Sequence, residues 1–392
     1  MNSRHALPVT PALTTRLPAV GTTVFSRMSA LAAEHGAVNL GQGFPDFDCE
    51  PRLVELVAQA MRDGYNQYPM MTGAPALRQA IADKIAALYG QRYDVNTELV
   101  VTAGATQALT TAILCAVHPG DEVIVIEPAY DSYQPAIELA GGVPVPVAME
   151  LGAHGYSVPW DKLAAAVNGK TRMIVINTPH NPTGTILRAA DMAALADIVR
   201  GTDILIVSDE VYEHMVYDGQ QHESICRHPE LAARSFVVSS FGKTYHVTGW
   251  KIGYVAAPAP LMQEFRKVHQ YNVFSVNTPM QHGLAGYMAE PAPYLELPAF
   301  YQRKRDLFRD GLAGSRFSLL PADGTYFQCV RYDAISQETE AQFAEWLTTQ
   351  IKVAAIPVSA FYAHGKESGI VRFCFAKKDE TLRLALERLR SI

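Results

Sequence analysis

Short, wholly apolar runs alternate along this chain with longer stretches whose apolar residues recur at helical spacing. LVVTAG leads into ATQALTTAILCAV, EVIVIEP into SYQPAIELA, and RMIVINTPHNP into AADMAALADIVR, and ILIVSDEVY closes the series. Such runs bounded by Gly, Pro and Asn read as buried strands, and their alternation with helices predicts an α/β fold with a mostly parallel sheet covered on both faces. After about Pro291 the pattern changes. Helix-rich sequence (YLELPAFYQRKRDLFRDGLA, TEAQFAEWLTTQ, DETLRLALERLRS) is interleaved with short strands such as GTYFQCV and GIVRFCFA, which predicts a smaller α+β domain. The expected division is residues 1–48 as an N-terminal arm and part of the small domain, 49–290 as the large domain and 291–392 as the small C-terminal domain. VNLGQGFPDFD is expected to cross over and join the small domain.

With 392 residues, 48% hydrophobic and 18% charged, the chain can bury a large core. A net charge of -6 without any lysine- or arginine-rich run argues against a nucleic-acid binder, which needs a concentrated basic face. The five cysteines stand singly with no CxxC, so no disulfide framework or metal site is indicated and a cytoplasmic location fits. The N-terminal MNSRHALPVTPALTTRLPAV lacks an apolar core and reads as an arm, not a signal peptide. LVVTAGATQALTTAILCAVHPG is free of acidic and basic residues, yet its Gly, Gln and Thr favour a strand, turn and buried helix over a membrane span.

Polar groups closing apolar runs need a reason to be there, and four places have them: Gly104 to Gln107, Asn181, Asp209 with Tyr212, and Lys243. VVTAGATQAL is a strand, a small-residue turn and a helix start, whose free N–H groups make an anion site; any tight turn of this kind looks the same. Asp209 ends ILIVSD, where a buried carboxylate needs a cation or donor, or else caps a helix. Asn181 in NTPHNPTG lies among ordinary turn dipeptides. Lys243 is expected on a loop at the end of a strand, where a lysine is ordinarily a solvated group. Its setting is SSFGKTYHVTGWKIGY, with Ser240 three residues before it and Lys251 eight after. An amine flanked by a hydroxyl and a second cation suits a phosphate-bearing aldehyde cofactor.

In these motifs the chain resembles the fold type I pyridoxal-phosphate enzymes, specifically the class I and II aminotransferases. NLGQGFPDF, YNQYP, TAGATQAL, EPAYDSY, NTPHNPTG, SDEVY, SSFGKTYHVTGWKIGY and VRFCFA occur in that family's order. Within it the chain is similar to the branch of methionine and kynurenine aminotransferases. The resemblance implies pyridoxal 5'-phosphate as cofactor, Lys243 as the amine that takes its aldehyde and moves the proton, and Asp209 as partner of its pyridine nitrogen. It implies that Asn181 and Tyr212 bond the ring's phenolic oxygen and that Tyr130 stacks on the ring. The phosphate would be held by Gly104, Ala105, Thr106, Ser240 and Lys251, with Tyr68 reaching in from the other subunit of a homodimer. Arg372 would bind the substrate carboxylate bidentately, completed by Asn181 and the backbone of Gly43. Lys251 departs from the aspartate aminotransferases, which carry arginine there, although a point charge still serves a phosphate.

Phe25, Tyr65, Tyr130 and Phe274 are the candidates for lining the substrate pocket, Phe274 from the partner subunit. No residue matches the second arginine of aspartate-type enzymes. The expected substrates are apolar or aromatic amino acids, methionine first, with 2-oxo acids as acceptors. Kynurenine or glutamine transamination and cysteine-conjugate β-lysis remain alternatives on the same groups. So does aminocyclopropane-carboxylate synthesis. A regulator built on this scaffold would carry a DNA-binding module ahead of it, and NLGQGFPDF starts too near the N-terminus to leave room. A nicotinamide dehydrogenase fails for want of GxGxxG.

Overall fold

The computed structural model describes residues 13–392; the first part of the N-terminal arm lies outside them. Seven strands form the main sheet in the spatial order Leu99–Thr102, Gly253–Ala256, Ser235–Ser240, Leu205–Asp209, Thr171–Asn177, Glu122–Glu127 and Val143–Ala148. Gly253–Ala256 runs antiparallel to both neighbours, and the other paired strands are parallel. The period of two along each strand feeds two separate cores. Leu99, Val101, Ile124, Ile126, Ile174, Ile176 and Ile206 point to one, and Val100, Val123, Val125, Met173, Val175 and Val207 to the other. Helices Pro75–Tyr89 and Ala189–Val199 cover the first face, and helices Gly104–Ala116 and Ala259–Asn272 the second. Two buried faces explain why these strands read as continuous apolar runs.

A four-stranded antiparallel sheet follows in the order Ser318–Leu319, Phe327–Arg331, Ile370–Cys374 and Ile356–Pro357. Helices Leu297–Leu312 and Asp379–Leu389 pack on it through Phe308, Leu312, Leu382 and Leu386. The N-terminal crossover is present: Val38–Asn39 pairs in parallel with Val353–Ala354, and Met28 and Leu40 enter the same core. That core also takes Val211, Tyr212 and Met215, the segment just beyond the main-sheet strand ending at Asp209. The second sheet is thereby clamped over the carboxyl ends of the first. The apolar stretch from Leu99 is the strand Leu99–Thr102 followed by the helix Gly104–Ala116, and no helix among the described residues is long and apolar enough to cross a membrane.

Candidate active site

The carboxyl ends of the parallel strands, the usual place for ligands in such sheets, border a cavity of about 350 Å³. Asp209 closes the strand Leu205–Asp209, Asn177 closes Thr171–Asn177, and Tyr130 follows Glu122–Glu127. Lys243 departs from its expected place on a loop: it sits in a single helical turn, Phe241–Thr244, whose first N–H groups are capped by Ser240 Oγ accepting from Gly242 N at 3.2 Å. Four residues are too few to carry a periodic signal, which is why the sequence reads as a turn.

Lys243 is half-buried, and its Nζ donates to Gly43 O at 3.1 Å and to Tyr326 Oη at 2.9 Å. Burial lowers its pKa to about 8. Asp209, 3% exposed, accepts from Tyr133 Oη at 2.7 Å and from Val211 N at 3.3 Å. Among the described residues no cation pairs with it, and burial pushes its pKa up to about 6. Asn177 fixes this corner by donating Nδ2 to the Asp209 carbonyl and accepting from Asn181 N, both at 2.8 Å.

Arg372 is 1% exposed and has no acidic partner among the described residues. One guanidinium nitrogen donates to Asn181 Oδ1 at 2.6 Å and the other to Gly41 O at 2.9 Å. Its flat face lies 3.8 Å from the Phe327 ring centre, with Phe361 and Phe25 further off. Its Nε is buried without a partner. Gly43 cannot be larger, because a Cβ there would come within 2.9 Å of the Phe327 ring.

At the far end of the cavity, helix Gly104–Ala116 begins without a side-chain cap from Ala103. Gly104 has φ +77°, and a Cβ on it would meet Lys251 Cε and Nζ at 3.4 Å. Lys251 itself holds a left-handed φ of 57°, which turns its side chain back over that helix start. Ala105, Thr106, Ser240 and Lys251 all line the cavity there, and Thr106 Oγ1 lies 3.4 Å from Tyr130 Oη.

The structure thus brings Lys243, Asp209, Asn181, Tyr212, Tyr130, Arg372, Gly43, Gly104, Ala105, Thr106, Ser240, Lys251 and Phe25 to one cavity. Tyr68, Phe274 and Tyr65 are elsewhere. Tyr68 and Phe274 meet edge to face at 5.2 Å on the surface, and Tyr65 stacks on His282 at 3.7 Å. Reasoning from sequence missed Tyr133, Asn177, Tyr326, Phe327 and Asp131, all of them in or against this cavity. The signal for Tyr133 lay in EPAYDSY, where a second tyrosine follows Tyr130 by three residues.

Residues 35–389 match the family model described as aminotransferase class I and II. The chain is 50% identical to a methionine aminotransferase of Escherichia coli, over 96% of this chain and 97% of the relative. A crystal structure of an Escherichia coli protein described as having a methionine aminotransferase function superposes with a TM-score of 0.95, at 50% identity, covering 98% of this chain and all of the other. A probable N-succinyldiaminopimelate aminotransferase of Mycobacterium tuberculosis is 40% identical over 95% of this chain and 97% of its own. The human kynurenine–oxoglutarate transaminase 1 is 35% identical over 92% and 93%.

Pyridoxal phosphate, the cofactor of that family, fits the donor set. Asp209 is a buried carboxylate lacking a cation, as a protonated pyridine nitrogen requires. The uncapped helix start with Lys251 and Ser240 offers N–H groups, a charge and a hydroxyl to a phosphate. A half-buried amine, Lys243, lies in the same cavity.

Proposed function

We propose, from the premise that the chain belongs to the class I and II aminotransferases and is a pyridoxal-phosphate enzyme, that its amino donors are L-amino acids with uncharged apolar side chains, methionine foremost. The observation that carries this is Arg372. It is a buried, stacked guanidinium with one N–H unpaired and, among the described residues, no acid in ion-pair contact, on the wall of the cavity that holds Lys243. A buried cation without a partner is costly, and an α-carboxylate relieves that cost.

The remaining lining argues the side chain. Phe25, Phe44, Val211 and Phe327 are apolar, and Lys243, Lys251 and Arg372 are the lysines and arginines among the described lining residues. With Arg372 given to the α-carboxylate and Lys251 to the phosphate, no cation is left for a distal carboxylate, and Asp131 on the wall repels one. This favours a thioether or aromatic side chain over aspartate or a succinylated diamino acid. The 50% identity to a methionine aminotransferase supports the same choice.

When bound, pyridoxal phosphate supplies an aldehyde that condenses with amines and a ring that accepts the electron pair left by a departing α-proton. The chain's own groups do the rest. Asp209, steadied by Tyr133 and Asn177, keeps a negative charge where the ring nitrogen is to stay protonated. Arg372 and Asn181 orient the donor by its carboxylate. With the cofactor bound, Lys243 would be the amine that takes up the donor's α-proton and delivers it to the carbon that carried the aldehyde, and its depressed pKa suits a base near neutral pH. Tyr130 stands on the cavity wall to cover the ring face.

A homodimer belongs to the same proposal. Tyr65, Tyr68, Met70, Tyr271 and Phe274 are exposed large side chains, Tyr68 by 80% and Tyr271 by 92%, and a patch of this kind is suited to a second copy. On this reading Tyr68 and Phe274 reach the partner's cavity, and sedimentation showing an active monomer sinks it. The substrate reading is tested by kcat/KM for L-methionine, L-kynurenine and L-aspartate with a common 2-oxo acid. Methionine is expected to lead and aspartate to trail. Aspartate leading, or turnover independent of the oxo acid as in a β-lyase, overturns the reading.

A further inference from the structure

A neutral primary amine has two N–H bonds and one lone pair, and only the lone pair removes a proton. The protein offers Lys243 Nζ two acceptors, the Gly43 carbonyl at 3.1 Å and Tyr326 Oη at 2.9 Å. The Tyr326 hydroxyl can accept from the lysine because its own proton is already committed to Gly43 O. Among the described residues no carboxylate forms an ion pair with Nζ, though Asp209, Arg372, Lys251, Cys374 and Tyr212 all face it electrostatically or by contact.

We propose that Tyr326 is a positioning residue for the reaction: with the Gly43 carbonyl it engages both N–H bonds of the Lys243 amine and so turns the lone pair into the cavity. This rests on the reading of Lys243 as the reactive amine. The two acceptors come from distant parts of the chain, Gly43 from the crossover segment and Tyr326 from just before the strand Phe327–Arg331. They are bonded to each other, and each is also held by further neighbours. Gly41 O and Phe44 O, on either side of Gly43, accept from Arg372 and from Lys377 Nζ at 2.9 and 2.7 Å. The Tyr326 ring is fully buried against Tyr212, Tyr301 and Phe327, and its carbonyl accepts from Phe375 N at 2.9 Å. Thr325, just ahead of it, has a φ of 63° and donates its N–H to Met215 O at 2.9 Å. A tyrosine so fixed has no freedom to follow the lysine, so the lysine must conform to it.

Tyr326→Phe removes one oxygen and leaves the ring packing. Two readouts are expected to move together. In the cofactor-free protein, acetylation of Lys243 by acetic anhydride at pH 8, followed by mass spectrometry, slows several-fold because the lone pair is no longer held toward the cavity. In the complete enzyme, kcat for methionine falls about tenfold or more, as expected when a reacting group loses its orientation, while KM stays within about twofold of wild type because Arg372 is untouched. A melting temperature equal to wild type accompanies both. Either readout remaining at the wild-type value overturns the inference. Lys243→Ala separates this from the underlying reading: if it still fixes the cofactor covalently, the role of Lys243 itself is wrong.

Discussion

Arg372→Lys keeps the charge and removes the fork. In the native protein the guanidinium bonds Asn181 at 2.6 Å and Gly41 at 2.9 Å, lies over Phe327 at 3.8 Å, and has its Nε buried without a partner. A lysine ammonium is a point charge that cannot keep both protein acceptors, stack on the ring and meet a carboxylate with two parallel bonds. The donor's carboxylate therefore loses about one charge-assisted hydrogen bond, worth about 1.5–3 kcal/mol, which converts to a fall of about ten- to 150-fold in kcat/KM. Because the carboxylate is held before and during proton transfer, the loss falls mainly on KM. Steady-state kinetics with methionine measure it, and inhibition by a simple aliphatic carboxylate should weaken in parallel. The visible spectrum of the bound cofactor should not change. An unaltered KM, or an equal loss for an amine that lacks the carboxylate, refutes the reasoning.

Two further outcomes follow from buried charge. The Asp209 carboxyl rises from 3.8 in the unfolded chain to about 6 in the folded, cofactor-free protein, so the stability it contributes is present below pH 3.8 and is lost as pH rises through 6. Above that pH the charged form costs about 3 kcal/mol; cofactor-free Asp209→Asn should melt higher than wild type at pH 8, with the gap closing near pH 4, and a lower melting point at pH 8 contradicts this. Beneath the site, Glu213 bonds Lys84 Nζ and Ser239 Oγ at 2.6 Å and Tyr254 Oη at 3.2 Å, with Lys84 and Glu213 side chains 5% and 2% exposed. Lys84→Met leaves that buried carboxylate hydrogen-bonded but without its cation and should cost about 3–5 kcal/mol in unfolding free energy, read by denaturant titration; an unchanged midpoint refutes it.

The sheet was legible because its strands are buried on both faces and so spell continuous apolar runs closed by polar residues. Asp209 and Asn181 lie at or just beyond strand ends as that pattern predicts, and Lys243 differs only in occupying a helical turn. Tyr133 was hinted at only by the repeated tyrosine of EPAYDSY, and Tyr326 was not legible. What distinguishes these two is a hydroxyl aimed at a residue far along the chain: Tyr133 bonds Asp209 across 76 positions and Tyr326 bonds Lys243 across 83. Local spacing carries no trace of such pairs. Nor does it show that Lys251 takes a left-handed backbone to reach Gly104. Tyr68 and Phe274 touch each other, not the cavity of their own chain, so a role for them in the site would require a second copy.

The central claim is that Lys243 carries the cofactor and gives it up to an amino acid. Borohydride reduction of the protein loaded with pyridoxal phosphate, followed by digestion and mass spectrometry, tests it directly. The account predicts the phosphopyridoxyl mass on the peptide containing Lys243, and its disappearance when L-methionine is added before the reductant in the absence of any 2-oxo acid. The mass on another lysine such as Lys251, or a Lys243 adduct that methionine leaves unchanged, contradicts it.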